Sequence, residues 1–257
     1  VLGGALATQY GYHTAFLTSL IISFGGFAIL FLQEQYDMEL EDKRYSFSDD
    51  LEQARTMLAD SQMAAVLFLS FVMIFAVSLR RSFLPVLLRT RGFQPSYVGL
   101  LIAVFAGTST LIRPFVGRLL RKYSRRQLLA LAVLAAMVGV GAAPLLASPL
   151  TIGLALGLFG LGFGLTQPLS MVMVADLTSP EHSGLAMGVR YTALTMGNLL
   201  GPVILGSIVE WLSLEASFFV TAGVVAAMGV FLVGLNAQLL PGRREEQLQV
   251  SSCTTDD

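Results

Sequence analysis

The stretch GVRYTALTMGNLLGPVILG, residues 188–206, is largely apolar and carries glycines at fixed intervals. Its pattern is Gly188, eight residues, Gly197, three residues, Gly201 with Pro202, two residues, Leu205 and Gly206. Glycines at such intervals remove side chains from a helix surface, so a neighbouring helix can approach closely. Pro202 also deletes one helical hydrogen bond. The stretch therefore predicts a membrane helix that packs tightly against a neighbour.

The composition agrees with a membrane setting. Hydrophobic residues make up 54% of the 257 residues and charged residues 13%, whereas a soluble domain carries about 25% charged residues. The net charge of −1 gives no electrostatic reason to expect a nucleic-acid partner. Cys253 is the single cysteine, and His13 and His182 are far apart in sequence, so we expect no disulfide, metal site or cofactor. The sequence has no phosphate-binding glycine loop ending in Lys and Ser or Thr, so we expect neither ATP-driven transport nor an enzyme.

Seven segments are long and apolar enough to cross a membrane, which takes about 20 residues. They lie at 14–33, 63–88, 97–117, 127–146, 150–172, 184–208 and 215–238. Short turns rich in Gly, Pro, Ser and charge separate the last six, whereas a long polar interval follows the first. Within that interval, the capping-box spacing of Asp49 and Glu52 predicts a short surface helix. We therefore expect an all-α, multi-pass membrane protein with seven transmembrane helices.

The distribution of Lys and Arg predicts the orientation, because cytoplasmic loops carry an excess of both residues. Ten lie on the side of the polar interval and the C-terminal tail: Lys43, Arg44, Arg55, Arg118, Arg121, Lys122, Arg125, Arg126, Arg243 and Arg244. Four lie on the opposite side: Arg80, Arg81, Arg89 and Arg91. We therefore expect the interval and the tail to be cytoplasmic, with the chain in the lipid bilayer of the cell (inner) membrane.

One helix, a long polar linker and six closely spaced helices resemble the major facilitator superfamily, whose members have two six-helix halves joined by a cytoplasmic loop. The resemblance implies the following division: 1–33, the end of helix five and helix six; 34–62, the central linker; 63–240, the six-helix C-terminal domain; and 241–257, a cytoplasmic tail. The first residues, VLGGALATQYGYHTAF, are similar to 203–218, as expected if helices five and eleven are related as repeats. The resemblance also implies that the N-terminal half of the same transporter is the missing partner of this chain.

The opening stretch resembles the superfamily's antiporter signature, G-x8-G-x3-GP-x2-GG, from which only Leu205 departs. In exporters of the family this signature belongs to helix five, whereas here it lies in the implied helix eleven. Two interpretations remain open: the motif serves helix packing alone, or it has a distinct role in coupling. Its residues are Gly188, Gly197, Gly201, Pro202 and Gly206.

A second motif, GRLLRKYSRR at 117–126, resembles the degraded second copy of the family's G-x-L-x-D-R-x-G-R-R turn. The matching or conservatively changed residues are Gly117, Leu119, Lys122, Arg125 and Arg126. Arg121 replaces the acid and Ser124 replaces the second glycine, so a charge relay to the adjoining helix is in question. The resemblance implies a tight basic turn that touches the other half in the outward-open state, with a positive-inside anchor as the simpler interpretation.

Polar groups at membrane depth are costly unless they face a cavity or a partner. Gln167, Ser170 and Asn198 are such groups in the implied helices ten and eleven, and Arg80 lies near the outer end of 63–88. These four residues are the candidate substrate contacts. For Gln167, a hydrogen bond between helices is the alternative.

The remaining ionisable residues are expected near helix ends. Arg190 is expected either to reach the headgroups or to form an ion pair with Asp176 across the turn. We place no Asp or Glu near the bilayer midplane, so a proton-carrying carboxylate is expected in the missing half. Gly153, Gly157 and the glycines of 160–164 are spaced for close helix contact.

The run 164–202 resembles helices ten and eleven of bacterial efflux members of the superfamily. The expected function is transport of a small molecule by alternating access, with efflux of an amphipathic or drug-like solute coupled to a proton gradient as the first hypothesis. One alternative is a non-transporting membrane scaffold or assembly protein. Another is a nutrient or sugar permease of the same fold.

Overall fold

The computed structural model describes residues 12–32 and 47–239. Predictions that concern 1–11, 33–46 and 240–257 lie outside the described residues, including those on the first repeat, the linker cations and the tail. The described residues form helices and turns and contain no strand, which confirms the all-α class. The α-helices are α1 (Tyr12–Leu32), α2 (Phe47–Ala59), α3 (Ser61–Ser82), α4 (Leu84–Thr90), α5 (Pro95–Ile112), α6 (Val116–Lys122), α7 (Arg125–Ala142), α8 (Pro149–Asp176), α9 (Ser183–Trp211) and α10 (Leu214–Leu239).

The chain divides into two units between Ser46 and Phe47. In the first unit, α1 has 21 residues and coincides with the predicted segment 14–33, and its apolar stretch is Phe16–Ala28. The second unit begins with α2, which confirms the predicted short helix.

Six helical spans of the second unit are long and apolar enough to cross a membrane, the full set of that kind in the described part of the chain. They are Ser61–Thr90, Pro95–Lys122, Arg125–Leu145, Pro149–Asp176, Pro180–Trp211 and Leu214–Leu232. Each corresponds to one of the last six predicted segments. The first predicted segment, 14–33, falls on α1, whose apolar stretch is shorter, so α1 is not one of these six.

Local sequence signals explain where the spans begin and bend. Proline occupies the first turn of α5 and α8, where its missing N–H costs nothing. The Asp60 carboxylate caps α3 by accepting a hydrogen bond from the Gln62 backbone N–H at 3.0 Å. Gly92 has a φ of 81° in the turn before α5, a conformation that favours glycine. The first span breaks at Phe83 because Pro85, in the first turn of α4, has no N–H for the preceding helical turn.

Helix α3 lies at the centre of the bundle and packs against α8, α9 and α10. Its side chains Leu69, Met73 and Ala76 are fully buried. Helix α8 packs against both α5 and α7, and α10 also packs against α7. Large apolar side chains such as Leu154 and Trp211 are exposed, as expected where lipid replaces water around a membrane helix.

Candidate functional site

A buried arginine joins α8 to α9. Arg190 is 4% exposed, and its Nη2 donates hydrogen bonds to Gln167 Oε1 and Ser170 Oγ, each at 2.8 Å. Its Nε also donates to Ser170 Oγ at 3.2 Å, and Nη2 to the Gln167 carbonyl oxygen at 3.2 Å. Hydrogen bonds to a charged group contribute about 1.5–3 kcal/mol each. These contacts offset part of the desolvation penalty of the guanidinium, which is several kcal/mol for a buried ion.

This network corrects the predicted ion pair between Arg190 and Asp176. Asp176 instead pairs with Arg125 at the start of α7, while Arg190 bonds to uncharged groups. The reason is the register of the antiparallel pair α8 and α9: residues equally far from the connecting turn lie opposite each other. Asp176 is the last residue of α8, whereas Arg190 lies about 10 Å beyond the start of α9 at 1.5 Å per residue. Ser170 lies at a similar depth on α8 and is therefore its neighbour.

The four candidate substrate contacts do not form one cluster. Gln167 and Ser170 both contact Arg190. Gln167 therefore forms a hydrogen bond between helices, the alternative to a substrate contact that was considered for it. Asn198 is exposed on α9, where its Oδ1 accepts a hydrogen bond from Arg81 Nη1 at 3.4 Å. Arg80 packs instead against Phe105 of α5.

Arg80 is the second buried arginine. It is 9% exposed, and its Cζ lies 4.1 Å from the centroid of the Phe105 ring on α5. Phe105 in turn contacts Phe159 of α8, with ring centroids 4.9 Å apart. The Nε atom of Arg80 is buried and has no hydrogen-bond partner among the described residues. A desolvated cation–π contact contributes about 2 kcal/mol or more, which is less than the several kcal/mol that burying an ion costs.

A small apolar cavity of about 10 Å³ adjoins Arg80, room for about one water-sized group. It is lined by Ala76, Leu79, Arg80, Leu84, Val140, Ala143, Leu156, Phe159 and Phe218. Arg80 was predicted from the sequence but Phe105 was not, because no local sequence pattern links residues on separate helices.

The glycine motif falls into two groups. A Cβ atom built on Gly197 would lie 2.8 Å from the Phe71 carbonyl oxygen of α3, and one on Gly201 would lie 2.7 Å from Ser78 Cβ. Ser78 Oγ also lies 3.4 Å from the Gly197 carbonyl oxygen. A Cβ on Gly188 or Gly206 would meet no atom within 4 Å among the described residues. Close approach of α9 to α3 therefore depends on the two central glycines, and a role in coupling stays a prediction.

Pro202 lies inside α9 and is exposed. Gly160, Gly162 and Gly164 confirm the expectation of close helix contact, whereas a Cβ on Gly153 or Gly157 would meet only side chains, at the ordinary distances of 3.5 and 3.6 Å. A Cβ on Gly160 would lie 2.5 Å from the Phe105 carbonyl oxygen, and one on Gly164 would lie 2.5 Å from that of Ser109, both on α5. Gly162 meets the backbone of α7 in the same way at Ala132. The backbone of α8 therefore packs directly against the backbones of α5 and α7.

Further along the same pair of helices, α5 and α8 border an apolar groove of about 590 Å³, within the range of about 300–1,000 Å³ typical of ligand sites. This groove was not predicted from the sequence. Its lining residues are Tyr97, Leu100, Leu101, Val104, Thr108, Pro149, Leu150, Gly153, Leu154, Gly157, Leu158 and Leu161.

The basic turn is built around a helix cap. Helix α6 ends at Lys122, and Ser124 caps α7 through a reciprocal pair of hydrogen bonds with Gln127, at 3.1 and 3.3 Å. Ser124, which replaces a motif glycine, therefore starts the next helix. A Cβ on Gly117 would meet open space among the described residues.

The charged side chains of the turn, Arg121, Lys122, Arg125 and Arg126, are exposed. Arg125 makes the ion pair with Asp176, so the turn contacts the adjoining helix α8 without the motif's acid.

Comparisons with known proteins identify the family. The model of the Major Facilitator Superfamily matches residues 1–171 and 66–254. The multi-drug resistance efflux pump PmrA homolog of Lactococcus lactis subsp. lactis is 30% identical over 177 residues, which are 65% of this chain and 42% of that protein. Multidrug resistance protein MdtG of Serratia proteamaculans is 29% identical over 182 residues, 67% of this chain and 43% of that protein. The multi-drug resistance efflux pump PmrA of Streptococcus pneumoniae serotype 4 is 30% identical over 150 residues, 56% of this chain and 37% of that protein.

The chain thus spans about two fifths of the length of the curated relatives that it matches. The family matches extend over most of the sequence and agree with the six membrane spans and with the helix-packing glycines. The chain is a multi-pass membrane protein that belongs to the Major Facilitator Superfamily.

Proposed function

We propose that this chain is the C-terminal part of a secondary transporter that exports a small amphipathic solute across the cell (inner) membrane by alternating access. Membership of the Major Facilitator Superfamily is the observation that carries the proposal. The names of the relatives, which are multidrug resistance proteins and efflux pumps, support export over uptake. The protein moves its solute unchanged, so it acts as a transporter and not as an enzyme.

The geometry supports a role for the bundle as one wall of a solute path. Close contacts at Gly197 and Gly201 hold α9 against α3, and backbone contacts at Gly160 and Gly164 hold α8 against α5. Helix pairs joined by such contacts move together, since packed interfaces deform little. In this proposal a second six-helix half, the N-terminal half of the same transporter, supplies the other wall, and the two halves rock against each other.

Coupling to an ion gradient, with protons as the first candidate, is part of the proposal. So is the orientation, in which the basic turn around Ser124 faces the cytoplasm because cytoplasmic loops are rich in Lys and Arg.

The test is dye efflux by the complete transporter in proteoliposomes. Rhodamine 123, a lipophilic dye, is loaded under an imposed proton gradient, and its movement is followed with and without a protonophore. We expect gradient-dependent flux well above that of empty liposomes. Flux equal to that of empty liposomes would refute transport. Flux that is the same with and without the protonophore would refute proton coupling but not transport. Residues 1–257 by themselves should insert into liposomes without moving the dye, because one half supplies one wall.

A further inference from the structure

Arg80 has a hydrogen-bond donor that the described residues leave unused. The side chain is nine-tenths buried, and its Nε lies in the protein interior without an acceptor among them. The Phe105 ring, 4.1 Å from Cζ, interacts with the positive charge but offers no lone pair to an N–H group. Because a guanidinium has five N–H donors, the ring cannot replace the oxygen acceptors that the side chain lost on leaving water.

The surroundings of Arg80 are apolar. The cavity beside Arg80 is lined by apolar side chains, including Leu84 of α4, Phe159 of α8 and Phe218 of α10. The carboxylates whose side chains are described are exposed: Glu52, Asp60, Asp176, Glu181, Glu210 and Glu215. Arg80 is therefore a desolvated cation in an aromatic setting. An anionic oxygen is strongly attracted to such a group, because no water screens the charge.

We infer that Arg80 anchors the carboxylate of an amphipathic organic anion or zwitterion, with the aromatic side chains around Arg80 contacting its apolar body. A carboxylate accepts hydrogen bonds from Nε and a terminal nitrogen on the same edge of a guanidinium, the two-point geometry that arginine favours. This inference rests on the proposed function, since it names the class of solute that the transporter carries. The present cavity admits about one oxygen, so the solute reaches Arg80 when the surrounding helices separate.

Arg80 differs in its unused donor from Arg190, which is also buried. The guanidinium of Arg190 has oxygen acceptors on Gln167 and Ser170, which accept hydrogen bonds from its Nε and Nη2 atoms. Arg81, the sequence neighbour of Arg80, is exposed and bonds to Asn198. Of these three arginines, Arg80 is the one with both a buried, unused donor and an adjoining cavity.

Two dyes that differ at a single group test the inference. Rhodamine 110 carries a free carboxyl group, and rhodamine 123 is its methyl ester. Efflux of each dye is measured with the complete transporter and with Arg80→Gln, Arg80→Lys and Arg89→Gln. Arg89 is an exposed arginine of α4 and serves as the control for loss of a positive charge.

We expect Arg80→Gln to slow rhodamine 110 efflux by about tenfold or more, because a site built for one polar group discriminates strongly against its loss. Rhodamine 123 efflux should change by less than about twofold, since the ester has no anionic oxygen to lose its partner. Arg80→Lys should retain part of the rhodamine 110 efflux, because its ammonium keeps the charge without the two-point geometry. Arg89→Gln should leave both rates unchanged.

Equal slowing of both dyes by Arg80→Gln would overturn the inference and assign Arg80 a structural role. If Arg80→Gln does not fold, the wild type and Arg80→Lys test the inference instead. It is overturned if the wild type exports rhodamine 123 but not rhodamine 110. It is also overturned if Arg80→Lys slows the efflux of both dyes equally. Those results would leave the proposed function intact. A wild type that moves neither dye would refute the proposed function, and the inference would fall with it.

Discussion

Replacing Gly201 with alanine should destabilise the contact between α9 and α3. The built Cβ lies 2.7 Å from Ser78 Cβ and 2.9 Å from Ser78 Oγ, whereas carbon atoms in contact are about 3.5–4.0 Å apart. The helices must therefore separate locally by about 1 Å or the serine must change position. Overpacking of this kind costs about 1–3 kcal/mol.

Gly188→Ala is the matched control, because a Cβ there meets open space on the same helix. Both substitutions carry the same gain in helix propensity, about 1 kcal/mol, so their difference isolates the clash. For a domain of this size each kcal/mol shifts the melting temperature by about 2–4 °C. We therefore expect Gly201→Ala to melt about 2–12 °C below Gly188→Ala when the complete protein is heated in detergent.

A second experiment removes the Ser78 side chain that opposes the new methyl group. Ser78→Gly removes both atoms that clash, so the double variant Ser78→Gly/Gly201→Ala should be more stable than the sum of its single variants, as a double-mutant cycle measures. Gly201→Leu should lower folded yield and transport further, whereas Val203→Leu, at a position 65% exposed, controls for added bulk. If Gly201→Ala and Gly188→Ala have the same melting temperature and the double-mutant cycle shows no coupling, the close-packing argument is wrong.

Three further changes test other parts of the structure. Ser124→Ala should cost about 1 kcal/mol of stability in thermal unfolding and Ser124→Gly only a few tenths, because glycine is a tolerated N-cap; equal losses would contradict the capping role. Ser170→Ala should lower the melting temperature by removing an acceptor of Arg190 worth about 1.5–3 kcal/mol, whereas Thr192→Ala, at an exposed position, should not. In a Cys253→Ser background, an impermeant maleimide applied to intact cells should label Ser213→Cys but not Glu52→Cys, and the reverse pattern would invert the proposed orientation.

The sequence alone determined the class of the protein and the positions of its spans. Lipid offers no hydrogen bonds to an exposed backbone, so each crossing requires about 20 apolar residues in a helix. That requirement leaves a strong signal in the sequence, and each of the last six predicted segments coincides with one membrane span. The turns could also be predicted from the sequence, because a proline or a capping residue determines the end of the helix in which it lies. The glycine pattern indicated close packing as well as the family.

Which residues meet was decided by the tertiary structure. A membrane helix that is apolar on all sides has little periodic signal to reveal its inward face, so the sequence could not separate Gly197 and Gly201 from Gly188 and Gly206. Arg80 and Arg81 are adjacent in sequence, yet rotation of α3 buries the first against Phe105 and exposes the second.

The partners of Arg190 depended on the register of an antiparallel helix pair. Proximity along the chain favoured Asp176, but depth in the membrane brought Ser170 and Gln167 to the guanidinium. Helix rotation and register arise from side-chain packing between segments distant in sequence, and for that reason only the folded bundle contains them.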